Sequence, residues 1–221
     1  VNKNYEVKQE FRQKVVDGGL AMVEKGLTVG TWGNISVKDP ETGLVYVKPS
    51  GMYYDEITPE DVVVFSPEGE IVDGHRKPTI EYRFHLGIMR SRPEITYVIH
   101  THPVYSAVFG VLREDIPGIS EDFVQLVGEK IINCEYALPG TAELAEHVVE
   151  GLGDRKAVMI PNHGTVCCGE DFNTVMKVCF VVEKTAQIYL LAKSAGTPHL
   201  ISEADIKAMQ EYVKYHYGQG K

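Results

Sequence analysis

An α/β domain with a mixed, largely antiparallel sheet covered by helices is the fold class this sequence predicts. Three observations carry that expectation. Short β-type runs and helical stripes alternate along 221 residues without a strict strand–helix–strand rhythm. Several runs lie close enough to pair as hairpins, for example on either side of Pro67-Glu68-Gly69. No linker, repeat or low-complexity segment divides the chain, so residues 1–221 read as a single domain.

The elements follow in order. Phe11, Val15, Val16, Met22 and Val23 form a helical stripe that ends before Gly26. Strands are expected at 35–37, 44–47 and 62–65, the last turning through 67–69 toward Ile71 and Val72. Residues 79–91 read as a helix with Phe84, Ile88 and Met89 on one side, stopped by Pro93. A buried strand is expected at 95–100, and His102-Pro103 opens another helix. A strand at 131–134 precedes a helix capped by Thr141 and running to about 152. Residues 157–160 and 165–168 read as paired strands. A long helix spans 171–194, and a last one opens at Ser202.

Composition narrows the function. A formal charge of −9 argues against nucleic-acid binding, which requires a basic surface, but leaves room for a small phosphorylated ligand at a local site. Cys134, Cys167, Cys168 and Cys179 lack the spacing of a secreted disulfide framework, and the charged N-terminal stretch has no signal-peptide core. The longest apolar run, 174–192, contains Lys177, Glu183 and Lys184, so it reads as a buried helix rather than a membrane span. A reduced, cytoplasmic setting without a membrane partner is expected.

His100-Thr101-His102 closes an apolar strand. Side chains two apart on a strand share a face, so both imidazoles can reach one ion, and imidazole nitrogen suits zinc and related divalent metals. His163, in Pro161-Asn162-His163-Gly164, sits where a sharp turn can point it into a cleft. Glu81 is a candidate fourth ligand or base; its ordinary reading is a favourable acid in the first turn of the 79–91 helix. His85, one turn on along the same face, reads as a packing residue or as a support behind the site residues, since Glu81-x-x-x-His85 is a common helix-surface pair. His75, His147, His199 and His216 lie in polar surroundings and are expected to be solvated.

Three small turns suit an anion: Thr31-Trp32-Gly33-Asn34, Lys48-Pro49-Ser50-Gly51 and Lys77-Pro78-Thr79. Backbone N–H groups at such turns and at helix starts bind phosphate, although ordinary turns need the same residue types.

Taken together, Thr-Trp-Gly-Asn-Ile-Ser at 31–36, Lys-Pro-Ser-Gly at 48–51, Lys-Pro-Thr-Ile-Glu at 77–81, His-Thr-His at 100–102, Asn-His-Gly at 162–164 and Tyr-Gly-Gln at 217–219 resemble the class II, zinc-dependent aldolase and adducin family, from about Phe11 to Gly218. The resemblance implies one α/β domain in a cyclic homotetramer with shared active sites. It matches His100, His102, His163 and Glu81 to a metal site for Zn2+, with Mn2+ or Co2+ as alternatives. It matches Asn34, Ser50, Gly51 and Thr79 to a substrate-phosphate site, and Tyr217 to a tyrosine that reaches a neighbouring subunit. Two departures stand out. The family's usual Ser-Ser pair before the acid is Thr79-Ile80 here, and Ile80 offers no hydrogen bond to a phosphate. The aldolase subgroup's mid-chain tyrosine falls at or near Glu121, and the epimerase subgroup's aspartate falls near Val124.

The implied chemistry is retro-aldol cleavage of a ketose phosphate to dihydroxyacetone phosphate and an aldehyde, with Glu81 moving the proton at carbon and Glu121 or Tyr217 serving the hydroxyl where the bond breaks. A sugar-phosphate 4-epimerase running the same cleavage and re-forming the bond is the second reading. A related dehydratase or decarboxylase is a third, and a non-catalytic adducin-like module is the contrast.

Overall fold

The computed structural model describes residues 5–216. Its frame is a seven-stranded sheet in the order β4-β3-β2-β1-β5-β9-β8. The strands are β1 (Asn34–Lys38), β2 (Val45–Val47), β3 (Val63–Phe65), β4 (Ile71–Asp73), β5 (Tyr97–Thr101), β8 (Ala157–Ile160) and β9 (Gly164–Gly169). Every neighbouring pair in it is antiparallel. The expected mixed character reduces to one isolated parallel bridge between Asn133 and Met159. The expected 131–134 strand is the shorter β7 (Lys130–Ile131), which pairs with β6 (Ile116–Pro117) in a separate two-stranded ribbon.

Helices cover both faces. β5 is central and alternates between two cores: Ile99 packs with residues of α1 (Gln9–Glu24) and α6 (Phe172–Ala195), whereas Val98 packs with residues of α2 (Tyr82–Ser91) and α5 (Ala142–Leu152). The period-two pattern of a strand buried on both sides leaves little room for a polar residue unless it is partnered. His100 therefore needs an explanation, because it is fully buried on the Val98 face. Thr141 caps α5 as the sequence suggests, accepting from the Leu144 backbone N–H, and Asp171, placed by the sequence inside its helix, caps α6 by accepting from the Thr174 N–H. α3 (Val104–Leu112) follows β5, a short α4 (Glu121–Leu126) stands where the sequence reading assigned no element, and α7 (Glu203–His216) opens after Ser202. Among the described residues, no helix is long and apolar enough to cross a membrane.

One correction bears on the site. The helix expected over 79–91 begins only at Tyr82. The Thr79 N–H donates to the Lys48 carbonyl at 3.0 Å, and the Tyr82 N–H closes a turn on the Thr79 carbonyl at 3.2 Å. That turn leaves Glu81 at the cap position with its side chain making no capping hydrogen bond. The carboxylate points inward instead.

Candidate metal and substrate site

The ladder assembles the histidines. In the β1–β5 register Asn34 lies opposite His100, and in the β5–β9 register His100 lies opposite Val166. His102, just past β5, is tied down by its N–H to the Leu27 carbonyl at 3.0 Å. His163 stands in the β8–β9 turn, which Asn162 reverses in the left-handed region at φ 55°; asparagine tolerates that conformation better than most residues. Gly164 is required by close approach. A Cβ there would sit 2.2 Å from the Thr101 carbonyl oxygen and 3.1 Å from a ring carbon of His100, so any larger residue would push β9 off the histidines.

The donor atoms converge. The Nε2 atoms of His100 and His102 are 2.9 Å apart, and those of His100 and His163 are 3.3 Å apart. Glu81 closes the group, with Oε2 at 3.4 Å from His100 Nε2 and Oε1 at 3.5 Å from His163 Nε2. Burial pushes His100 and His102 from the ordinary 6.5 down to about 3, so both are neutral and keep a lone pair. His100 donates from Nδ1 to the Thr165 carbonyl at 3.1 Å, which aims its Nε2 at the cluster. This is how metal-binding histidines are commonly oriented. Glu81 Oε1 is buried without a hydrogen-bond partner, an unfavourable position for a carboxylate oxygen unless a cation meets it. Three imidazoles and a carboxylate at this spacing fit one divalent metal ion.

A cavity of about 410 Å³ opens beside this group. Two of the anion-type turns line it whole, Thr31 to Asn34 and Lys48 to Gly51; of the third only Thr79 does, followed by Ile80 and Glu81, together with His102, His163 and Pro139. The turns are stitched to one another by the Ser50 N–H to the Lys77 carbonyl at 2.9 Å and by the Thr79–Lys48 bond. Lys48 is 2% exposed. Its ammonium meets the carbonyls of Thr31, Pro49 and Met52 at 3.2–3.3 Å and lies over the Tyr54 ring, with no carboxylate paired to it among the described residues. Burial lowers its pKa to about 8. A positive charge left unneutralised at the wall of a cavity favours an anionic occupant.

Residues 13–190 match the family model described as Class II Aldolase and Adducin N-terminal domain. The chain belongs to the class II aldolase and adducin family. It is 37% identical, over 96% of its length and 98% of the relative's, to a 5-deoxy-D-ribulose 1-phosphate aldolase of Bacillus thuringiensis. It is 31% identical to an L-fuculose phosphate aldolase of Escherichia coli, covering 94% of this chain and 95% of that one. A solved L-fuculose 1-phosphate aldolase superposes with a TM-score of 0.92 at 33% identity, covering 96% of this chain and all of the other. This class II aldolase family member is accordingly an enzyme of the carbon–carbon lyase type.

Within this class II aldolase fold the expected site residues fall into three groups. Glu81, His100, His102 and His163 come together, and Asn34, Ser50, Gly51 and Thr79 line the adjoining cavity. Glu121 does not line it: its side chain is exposed at the start of α4. Tyr217 lies outside the described residues. Ile80 is 57% exposed on the cavity wall, so the departure at that position presents an apolar surface where the family pattern has a hydroxyl. His85 takes both roles the sequence offered it, packing and support of the site, although it faces the interior and not the helix surface. His85 is fully buried, bonded to Ser36 at 2.7 Å and to Asn34. Ser36 was the available signal, since it shares a strand face with Asn34 one pleat away.

Two expectations follow. Replacing His102 by Ala removes one of three imidazole donors, so tight binding of one divalent ion per chain is lost; isothermal titration with Zn2+ checks this, and undiminished binding contradicts the site. The second concerns pH in protein stripped of metal by a chelator. His85, His100 and His102 each titrate near 3 when folded and near 6.5 when unfolded. Between those values the unfolded chain takes up protons that the folded chain cannot, so stability rises with pH through that window and levels off above it. Urea unfolding at pH 5 and pH 7.5 measures the difference, and equal midpoints would contradict neutral burial of these rings.

Proposed function

We propose that this protein is a metal-dependent aldolase that cleaves a ketose 1-phosphate, fuculose-1-phosphate-like, to dihydroxyacetone phosphate and an aldehyde. One observation carries the reading. Glu81 presents an unpartnered carboxylate oxygen to three converging imidazoles at the edge of a cavity whose other wall is an anion cradle. Two of the relatives are named for ketose 1-phosphates, 5-deoxy-D-ribulose 1-phosphate and L-fuculose 1-phosphate, which share the phosphorylated head that such a cradle would hold.

His100, His102, His163 and Glu81 would hold the ion, Zn2+ in our reading with Mn2+ or Co2+ as alternatives. When bound, the ion supplies Lewis acidity toward the substrate's carbonyl and adjacent hydroxyl oxygens. Ser50, Gly51 and Thr79 receive the phosphate with Lys48 supplying charge, and fixing that end positions the reacting carbons. In the aldol direction Glu81 takes a proton from the hydroxymethyl carbon of dihydroxyacetone phosphate, and in cleavage it returns one. Tyr217 or Glu121 serves the hydroxyl at the breaking bond. Because Glu121 is not in the cavity of its own chain, that role calls for a cyclic homotetramer in which neighbouring subunits complete each site.

The 4-epimerase reading keeps a specific motif in its favour, the Lys48-Pro49-Ser50-Gly51 turn beside Thr31-Trp32-Gly33. Product chemistry separates the two. Metal-loaded protein incubated with a panel of pentulose and hexulose phosphates is expected to release dihydroxyacetone phosphate, detected by mass spectrometry and NMR. Interconversion of C4 epimers of a pentulose 5-phosphate without free fragments establishes the epimerase instead. Glu81→Gln is expected to lower kcat by about 10²–10⁴-fold with the fold intact. Near-normal kcat in that variant removes Glu81 from the chemistry.

A further inference from the structure

Behind Glu81 runs a chain of buried polar groups that the reaction described above does not use. Ser36 Oγ lies 2.7 Å from His85 Nδ1, and His85 Nε2 contacts Asn34 Oδ1. Asn34 Nδ2 contacts Glu81 Oε2 at 2.9 Å and Thr79 Oγ1 at 3.1 Å. Ser36 and His85 are wholly buried, and Asn34 is 3% exposed. Packing alone would be served by Leu or Phe at position 85, on the face of α2 that meets the sheet. An imidazole there brings two polar atoms out of water, and both have found partners.

The chain has a direction set at one end. An ionised carboxylate only accepts hydrogen bonds, so Asn34 must turn its NH2 toward Glu81. Its carbonyl oxygen then faces His85, which must donate from Nε2. His85 Nδ1 is left to accept, and Ser36 supplies the hydrogen. Burial holds the ring neutral, so one tautomer can fill both roles. Both amide hydrogens of Asn34 are committed, one to Glu81 and one to Thr79. Thr79 Oγ1 accepts from Asn34, which leaves its own hydrogen for the cavity that Thr79 lines. Of the two Glu81 oxygens, Oε2 is held and Oε1 is unpartnered.

We propose that His85 is a positioning residue: its Nε2–H locks the Asn34 amide in the one orientation that fixes Glu81 Oε2 and the Thr79 hydroxyl together, so that Oε1 alone is left to act. The proposal rests on the aldolase reading of Glu81. Without the His85 donor, Asn34 Oδ1 is buried unpaired and the amide is free to rotate. The flipped amide sets an oxygen against the carboxylate and releases the base and the phosphate contact at once. Gln at position 85 can place an N–H near the position of Nε2; Phe fills the volume without one.

The test uses the full-length protein. In folded, metal-loaded His85→Phe, kcat is expected to fall about 10–100-fold while ion content stays at the wild-type level, since His85 is not a ligand. His85→Gln is expected to recover most of that loss. Unchanged kcat in His85→Phe, or Gln no better than Phe when both are folded, overturns the proposal. A measurement on the wild-type protein needs no variant to fold and no activity. Long-range ¹H–¹⁵N correlation spectra of metal-free protein are expected to show His85 as the Nε2–H tautomer, and an Nδ1–H tautomer overturns the proposal. Absence of aldolase activity in wild-type protein refutes the function reading, while the tautomer measurement still decides the direction of the hydrogen-bond chain.

Discussion

The antiparallel pairing of β5 between β1 and β9 is the constraint on which the site depends. It sets Asn34 across from His100, brings the β8–β9 turn with His163 over the same end of the sheet, and carries His102 just beyond the last ladder bond. The approach is close enough that two glycines are obligatory. Gly164 sits where a side chain would strike the Thr101 carbonyl, and Gly33, at φ 68°, would place a Cβ 2.7 Å from the carbonyl of His100. A slip of one residue in either ladder would turn His100 to the opposite face and dissolve the cluster. Strand register is thus a requirement of the chemistry as well as of the core.

The site also joins two opposed electrostatic demands. Burial holds His100 and His102 neutral, and Glu81 is a carboxylate buried beside them, so the cluster as it stands is short of positive charge. The neighbouring cradle has the opposite imbalance, with the Lys48 ammonium held, among the described residues, by carbonyls and a ring face. A cation at the first and an anionic group at the second satisfy both. A ligand with a phosphate at one end and oxygen donors toward the other bridges them, which is the shape of a ketose phosphate. The two halves lie in one cavity because the 48–51 turn and the 77–79 segment are hydrogen-bonded to one another.

Much of this was legible in the chain. The His-x-His spacing at the end of an apolar run, the Asn-His-Gly turn and the small hydroxyl-rich turns each carry local chemistry that strand and turn geometry make readable. The helix cap at Thr141 and the paired strands at 157–160 and 165–168 fall in the same class. The start of α2 was not legible, since Thr79 is a good helix-opening residue by its own preference. Its N–H is instead taken by Lys48, more than thirty positions away, and that long-range bond turns Glu81 inward.

The sequence by itself determined the residue types of the candidate metal and phosphate site and the alternation of elements, because these follow from side-chain chemistry and from periods of two and 3.6 residues. Only the tertiary structure decided which of those residues meet. It drew His85 into the interior as the neighbour of Asn34 and Ser36, left Glu121 exposed outside the cavity, and gave the two oxygens of Glu81 different surroundings. The physical reason is that hydrogen-bond direction and burial are properties of groups brought together across the fold, and no local pattern in the chain encodes which partner a buried polar atom will find.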